Sequence, residues 1–247
     1  ATAGQQWYIK APSTMSPPPD ISYVIVSNSS AVTSGGGQIL VGNFSTEADV
    51  GVDNELAGNV NWSFPSPQAK TWDGSESDDW GDLENWTPSG VPQSSDVSIT
   101  IPTPGGGLPP NQPVLDTDRI YACPLTVESG ATLTLGHDLT MDAALTNAGT
   151  IIATGSETLT CSKDVDFTGG AFTPASSTLK LAAPAAGAQT FKPAGNTFNR
   201  IEVPNAATVT FSDAGFTADE FSCQAAGATL NFNAGSTYAV TDLLDLR

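Results

Sequence analysis

The sequence predicts an all-β fold, built mainly as a parallel β-helix (β-solenoid) with a small strand-rich segment at its N-terminal side. Three observations carry this reading. Short runs in which alternate residues are apolar follow one another along most of the chain, each closed by Gly, Asn or Asp, as strands with one buried face require. A few phrases recur: Gly130-Ala131-Thr132-Leu133-Thr134-Leu135 returns as Gly227-Ala228-Thr229-Leu230-Asn231-Phe232, and such repetition is the signature of stacked coils. Finally, only 14% of the 247 residues are charged while Gly (24) and Pro (18) are plentiful, which suits short strands and turns better than salt-bridged helices. A β-sandwich, or a pair of them, is the alternative, since it also uses short strands and turns.

Residues 1–70 form the first expected element, an N-terminal arm or subdomain. Its Ser16-Pro17-Pro18-Pro19 punctuation and the runs Tyr23-Val24-Ile25-Val26 and Gln38-Ile39-Leu40-Val41 mark a few short strands, too few for a large sandwich of their own. Residues 71–113 are expected to be an entry or cap segment. Here Trp72, Trp80 and Trp86 punctuate an acidic stretch, the strand Asp96 to Ile101 follows, and a Pro/Gly loop closes the segment. Residues 114–247 are expected to be the solenoid proper, with Leu133, Leu135, Ile151, Leu179, Leu181, Val209 and Phe211 turned into one elongated core.

The series Trp72-Asp73-Gly74, Asp79-Trp80, Asn85-Trp86, Val91-Pro92, followed by strands such as Leu125-Thr126-Val127 and Thr146 to Ile151, resembles the opening of repetitive bacterial cell-surface and autotransporter-like β-helix proteins. The resemblance spans roughly residues 71–247. It implies a β-solenoid at the cell surface or outside the cell with a structural, adhesive or passenger role, and it brings no catalytic residue with it.

The chemistry available is narrow. A net charge of −18 repels phosphate backbones, so nucleic acid is not an expected partner. No apolar run approaches the roughly 20 residues of a membrane span, and no signal peptide stands at Ala1; an exported protein would have lost it already. His137 is the single histidine, which removes His-based triads and multi-histidine zinc sites. Cys123, Cys161 and Cys223 are expected as buried small apolar residues, with one disulfide as the alternative.

Candidate sites remain. Asp73, Ser75, Ser77, Asp79 and Glu84 place oxygens at spaced positions, as in a calcium loop, although Asp78 stands where an EF-hand requires Gly; a solvated acidic turn is the simpler reading, so no cofactor is expected, with calcium as the alternative. Trp72, Trp80 and Trp86 are expected to plug a solenoid end, and the alternative is a platform for sugar rings of an extracellular polysaccharide. Lys163 with Asp164 and Asp166, and Asp213 with Asp219 and Glu220, are the residues a polysaccharide-degrading β-helix enzyme would draw on, and exposed turn acids are the simpler reading. Asn28, Asn43, Asn61 and Asn85 begin glycosylation sequons. Leu243, Leu244 and Leu246 form an apolar strand end without a polar cap. It is expected either to run on into further repeats or to associate with another copy through Tyr23, Val24, Ile25 and Val26, building fibres. The expected function is therefore a secreted or cell-surface structural or adhesive protein, not an enzyme, with a carbohydrate-binding module as the alternative and a polysaccharide-degrading enzyme behind it.

Overall fold

The computed structural model describes residues 67–105 and 111–247 in full and, before them, the backbone of six short strands between residues 7 and 63. Two compact units divide the chain, Ala1–Pro67 and Gln68–Arg247.

The second unit is a parallel β-solenoid. Each coil visits up to three sheets in a fixed order, as in Leu125–Val127, Thr132–Leu135 and Leu139–Met141, before Leu145–Asn147 begins the next coil. The sheets contain nine, four and seven strands, called here the first, second and third. Leu125 lies opposite Leu145 and Leu139 opposite Leu159, so the coil is short, near the lower limit of about 20 residues known for stacked repeats. Every registered pair within the coils is parallel, which excludes the sandwich. The one antiparallel pair among the described residues joins Thr71–Trp72 to Trp86–Thr87.

Alternation fixes what faces inward. On the first sheet the column Ile99, Leu125, Leu145, Val165, Phe191, Phe211 runs coil over coil. On the third sheet the column is Leu139, Leu159, Leu179, Ile201, Phe221. All are buried, as are all seven core residues expected from the sequence. Full burial of such a side chain is worth about 1.5–3 kcal/mol, and a one-residue slip would turn the whole column to solvent. Towards the C-terminal side the core becomes aromatic, with Phe167, Phe172, Phe191, Phe198 and Phe211 meeting mostly edge to face. Quadrupole attraction favours that arrangement.

The recurring phrases have a physical cause at the corners. A Cβ on Gly149 would meet the carbonyl oxygens of Ala131 and Glu128 at 2.4 Å, so the coil can pass this close to its neighbour only with glycine. Beside it the buried Asn147 donates from Nδ2 to Ala171 O (2.9 Å), tying one coil to the next.

The cross-section changes along the unit. Strands of the third sheet lengthen from Arg119–Tyr121 to Thr197–Val203, Phe216–Cys223 and Tyr238–Leu246, while the second sheet ends at Ala171–Thr173. A three-sided coil thus gives way to one with two principal sides.

The first unit shows the same habit in its backbone. Trp7–Ala11 pairs with Ser29–Thr33, Ile25–Val26 with Thr46–Glu47, and Ile39–Leu40 with Trp62–Ser63, all parallel. In each pair the partner stands close to one coil length further along the chain. Parallel pairing at that separation is the backbone pattern of a short solenoid.

Candidate functional site

Two regions of the solenoid unit depart from plain coil: the tryptophan-rich segment at its start and the exposed edge of its last coil. At the start, Ala69–Trp72 lies on the first sheet between Ser98–Ile101 and the returning strand Trp86–Thr87. That antiparallel return closes the edge of the sheet. Trp72, Trp80 and Trp86 pack beneath it, with ring centroids 5.0 Å apart for Trp72 and Trp86 and 4.8 Å for Trp80 and Trp86, both pairs edge to face. Each indole N–H is satisfied: Trp72 donates to Asn111 O (2.8 Å), Trp80 to Tyr121 Oη (2.8 Å) and Trp86 to Trp80 O (3.0 Å).

All three rings are buried. They close the start of the solenoid, and the sugar-stacking alternative loses its platform, because a stacking ring needs an open face. Lys70, also buried, donates from Nζ to Pro88 O (2.9 Å) and Ser89 O (3.1 Å), fastening the turn after the return strand. Burial lowers its pKa against the pull of Asp96.

The acidic loop between Trp72 and Trp86 is organised around Asn85. This carboxamide is fully buried; its Oδ1 accepts from the amides of Glu76 (2.9 Å) and Ser77 (3.0 Å), and its Nδ2 donates to Ser77 Oγ (2.9 Å) and Asp79 O (3.0 Å). Four of the five expected calcium ligands, Asp73, Ser75, Ser77 and Asp79, have side-chain oxygens engaged in separate hydrogen bonds, and Glu84 contributes its backbone carbonyl. Asp73 Oδ1 accepts from Ser75 N, Asp73 Oδ2 from Thr87 Oγ1, and Asp79 Oδ1 from Gly81 N, while Ser75 Oγ also reaches Glu84 O. Ser77 Oγ faces Asn85 rather than a shared centre. Among the described residues no three His, Cys, Asp or Glu side chains come together as a metal group. Asn85 stood out in the sequence as a sequon and as the Asn85-Trp86 step of the tryptophan series, and its burial leaves no room for a glycan; Asn28, Asn43 and Asn61 lie outside the described residues.

The other acids sit on the outer faces. Asp166 pairs with Lys192 at 2.7 Å and accepts from Thr168 N, and Asp164 accepts from Thr190 N. They border a shallow groove of about 340 Å³ with Leu145 and Thr146. Burial pushes the Asp166 carboxyl up, but the bonds from Lys192 and Thr168 outweigh it and hold the group below its ordinary value. Lys163 offers its carbonyl to the buried Gln189. Glu220 pairs with Arg200 (3.4 Å), Asp219 accepts from Thr241 Oγ1, and Asp213 contributes its carbonyl to Ser236. Cys123, Cys161 and Cys223 are free and buried; burial pushes the Cys123 thiol up to about 11.

In the last coil, Tyr238–Leu246 is the outermost strand of the third sheet and Thr229–Phe232 that of the first. Phe232 (48%), Leu243 (46%), Leu244 (58%) and Leu246 (55%) are exposed there. Leu244 and Leu246 stand in register with the buried Phe221 and Cys223, so they continue the core column into solvent. Tyr23 and Val24 lie outside the described residues, whereas Ile25–Val26 already pairs with Thr46–Glu47.

These features define a parallel β-solenoid closed at one edge by an antiparallel return strand and carrying apolar side chains at the other. Compared with protein-family models, with curated proteins and with solved structures, the chain matches none.

Proposed function

We propose that this chain is a structural or adhesive module of a secreted or cell-surface protein, whose solenoid acts as a stiff spacer. The observation that carries the reading is the unbroken inward column on two sheets, from Ile99 to Phe211 and from Leu139 to Phe221. A core that is continuous from coil to coil resists bending and local opening better than a chain of separate small domains. The outer faces suit exposure to water and few specific partners: the first sheet presents Thr100, Thr126, Thr146, Asp166 and Lys192 in one column. The resemblance of residues 71–247 to repetitive surface proteins points the same way. The seven stacked strands of the third sheet, at about 4.8 Å each, make a spacer of about 34 Å, one segment of a longer surface structure.

Antibody labelling of intact producing cells, compared with labelling after lysis, tests the location. Labelling of intact cells, or recovery from the medium, is expected; antigen reached only after lysis would overturn the reading.

A further inference from the structure

The outer face of the first sheet changes character partway along the solenoid. Thr87, Thr71, Thr100, Thr126 and Thr146 stand in register on five neighbouring strands. At about 4.8 Å per strand this uncharged row runs for about 19 Å. Threonine is a common outer residue of a strand, so the row alone points to no ligand. It ends, however, at the groove of about 340 Å³ that crosses Leu145–Asn147, Val165–Asp166 and Ala188–Lys192. Here the short side chains of Ala144 and Thr146 give way to the longer Asp164, Asp166 and Lys192, and the groove lies at that step.

The lining holds fixed groups of both signs. Asp166 Oδ2 takes the Lys192 ammonium at 2.7 Å, and its Oδ1 takes the Thr168 amide at 2.8 Å. Lys192 is thereby anchored with N–H groups to spare, since an ammonium carries three donors. Asp164 Oδ1 accepts from the Thr190 amide (2.7 Å). Among the described residues the other oxygen of Asp164 and the hydroxyls of Thr146 and Thr190 have no hydrogen-bond partner. A ligand for this groove meets a cation and an anion side by side. A carboxylate or sulfate would face Asp164 and a chain of net charge −18, and an ammonium would face Lys192. Hydroxyls donate to the one and accept from the other, and the row leading up to the groove asks for no charge either.

We infer that the groove at Asp164, Asp166 and Lys192 binds one unit of a neutral polysaccharide, with neighbouring hydroxyls on Asp164 and Lys192 and others on Thr146 and Thr190. The rest of the polysaccharide lies across the threonine row. No aromatic ring lines the groove, so each contact is weak and firm adhesion requires many contacts at once. The inference rests on the adhesive side of the function proposed above and gives it a ligand class.

Titration of the isotope-labelled full chain with oligosaccharides of glucose, mannose, galactose and xylose, followed through its amide chemical shifts, tests the site. At least one of the four is expected to shift the amides of Thr146, Asp164, Asp166, Thr190 and Lys192 saturably, with a Kd of about 1–10 mM. Asp164→Asn, whose amide oxygen keeps the Thr190 bond, and Lys192→Met are each expected to weaken binding by about tenfold. Thr146→Val, close to threonine in shape, is expected to weaken it by about threefold and replaces Lys192→Met if that variant disturbs folding. An oligomer of galacturonic acid should give no saturable shift. The inference is overturned if none of the four sugars moves these amides saturably, if Asp164→Asn binds as well as wild type, or if the acidic oligomer binds more tightly than the neutral ones. A protein that labels on intact cells yet ignores all four sugars would lose this site and keep the spacer reading, whereas sugar binding by a protein reached only after lysis would do the reverse.

Discussion

Asn85 shows how one side chain can hold a loop that charge alone would push apart. Its carboxamide takes two amides and gives two hydrogen bonds within the acidic segment, cross-linking the loop from Glu76 to Asp79. Asn85→Ala would leave buried donors and an acceptor unmatched, and an expected loss of about 2–4 kcal/mol should appear as a lower urea midpoint; an unchanged midpoint would show that the loop does not depend on it. The tryptophans beneath respond differently. Trp86→Ala removes a fully packed indole and should cost about 3–5 kcal/mol, whereas Tyr121→Phe removes only the acceptor of the Trp80 N–H and should cost about 1 kcal/mol. Equal losses in chemical denaturation would contradict the division between packing and hydrogen bonding. At this scale the sequence was partly readable. Three indoles close in sequence signalled a plug, but nothing in Asn85-Trp86-Thr87 distinguishes a buried organiser from an exposed sequon, because the burial depends on how the loop from Glu76 to Asp79 folds back over the side chain.

Coils are held in register by packing inside, and carboxylates outside are fixed by hydrogen bonds within their own turn or, for Asp166 and Lys192, across to the next coil. Asp73, Glu157 and Asp166 each combine partial burial, which pushes the carboxyl up, with hydrogen bonds that more than offset it, so all three fold with depressed pKa values. The donors are Thr87 and Ser75 for Asp73, the Gly155 amide and Thr154 for Glu157, and Lys192 and Thr168 for Asp166. The unfolded chain then takes up protons first. Stability from these groups is fully present above the ordinary carboxylate range of about 4 and is lost as the pH falls through the lower folded values. Urea midpoints measured from neutral pH downward should hold steady and then fall below about pH 4; a midpoint that rises on acidification would contradict this sign. The coil length was also written in the sequence, yet hard to see. Leu125 with Leu145 and Leu159 with Leu179 keep one spacing, but Val165 reaches Phe191 across a longer stretch of chain and Leu133 reaches Ile151 across a shorter one. Corner loops absorb these differences without disturbing the ladder, so only phrases recur and not a strict period. Parallel pairing resolved the choice against a sandwich, whose alternation along each strand is the same.

For the solenoid unit as a whole, stability should be graded. An interior coil is covered by a neighbour on each side, whereas the Tyr238–Leu246 strand is covered on one, and Leu244 and Leu246 face water. Hydrogen exchange should therefore be faster by about a hundredfold or more in Tyr238–Leu246 than in Leu139–Met141 or Thr158–Cys161. Uniform protection would mean that something covers the last coil in solution, and protection that appears only at high concentration would identify it as another copy. Fold class was the most legible property here, since alternation and glycine corners are local. What the two edges are like was less so: the return strand Trp86–Thr87 depends on pairing back to Trp72 across the whole acidic loop, and no local pattern announces it. The regular coil has one more consequence, which concerns editing. Because Leu125 and Leu145 occupy equivalent positions in successive coils, excising residues 126–145 splices Leu125 directly to Thr146 and keeps every later strand in phase. Such a shortened protein should retain its β-type circular dichroism and a single cooperative melt, while removing only residues 126–135 should abolish both, since half a coil sets each remaining apolar column against the wrong face. By the same reasoning, duplications and losses of whole coils are the length changes that a gene for this protein can accumulate without loss of folding.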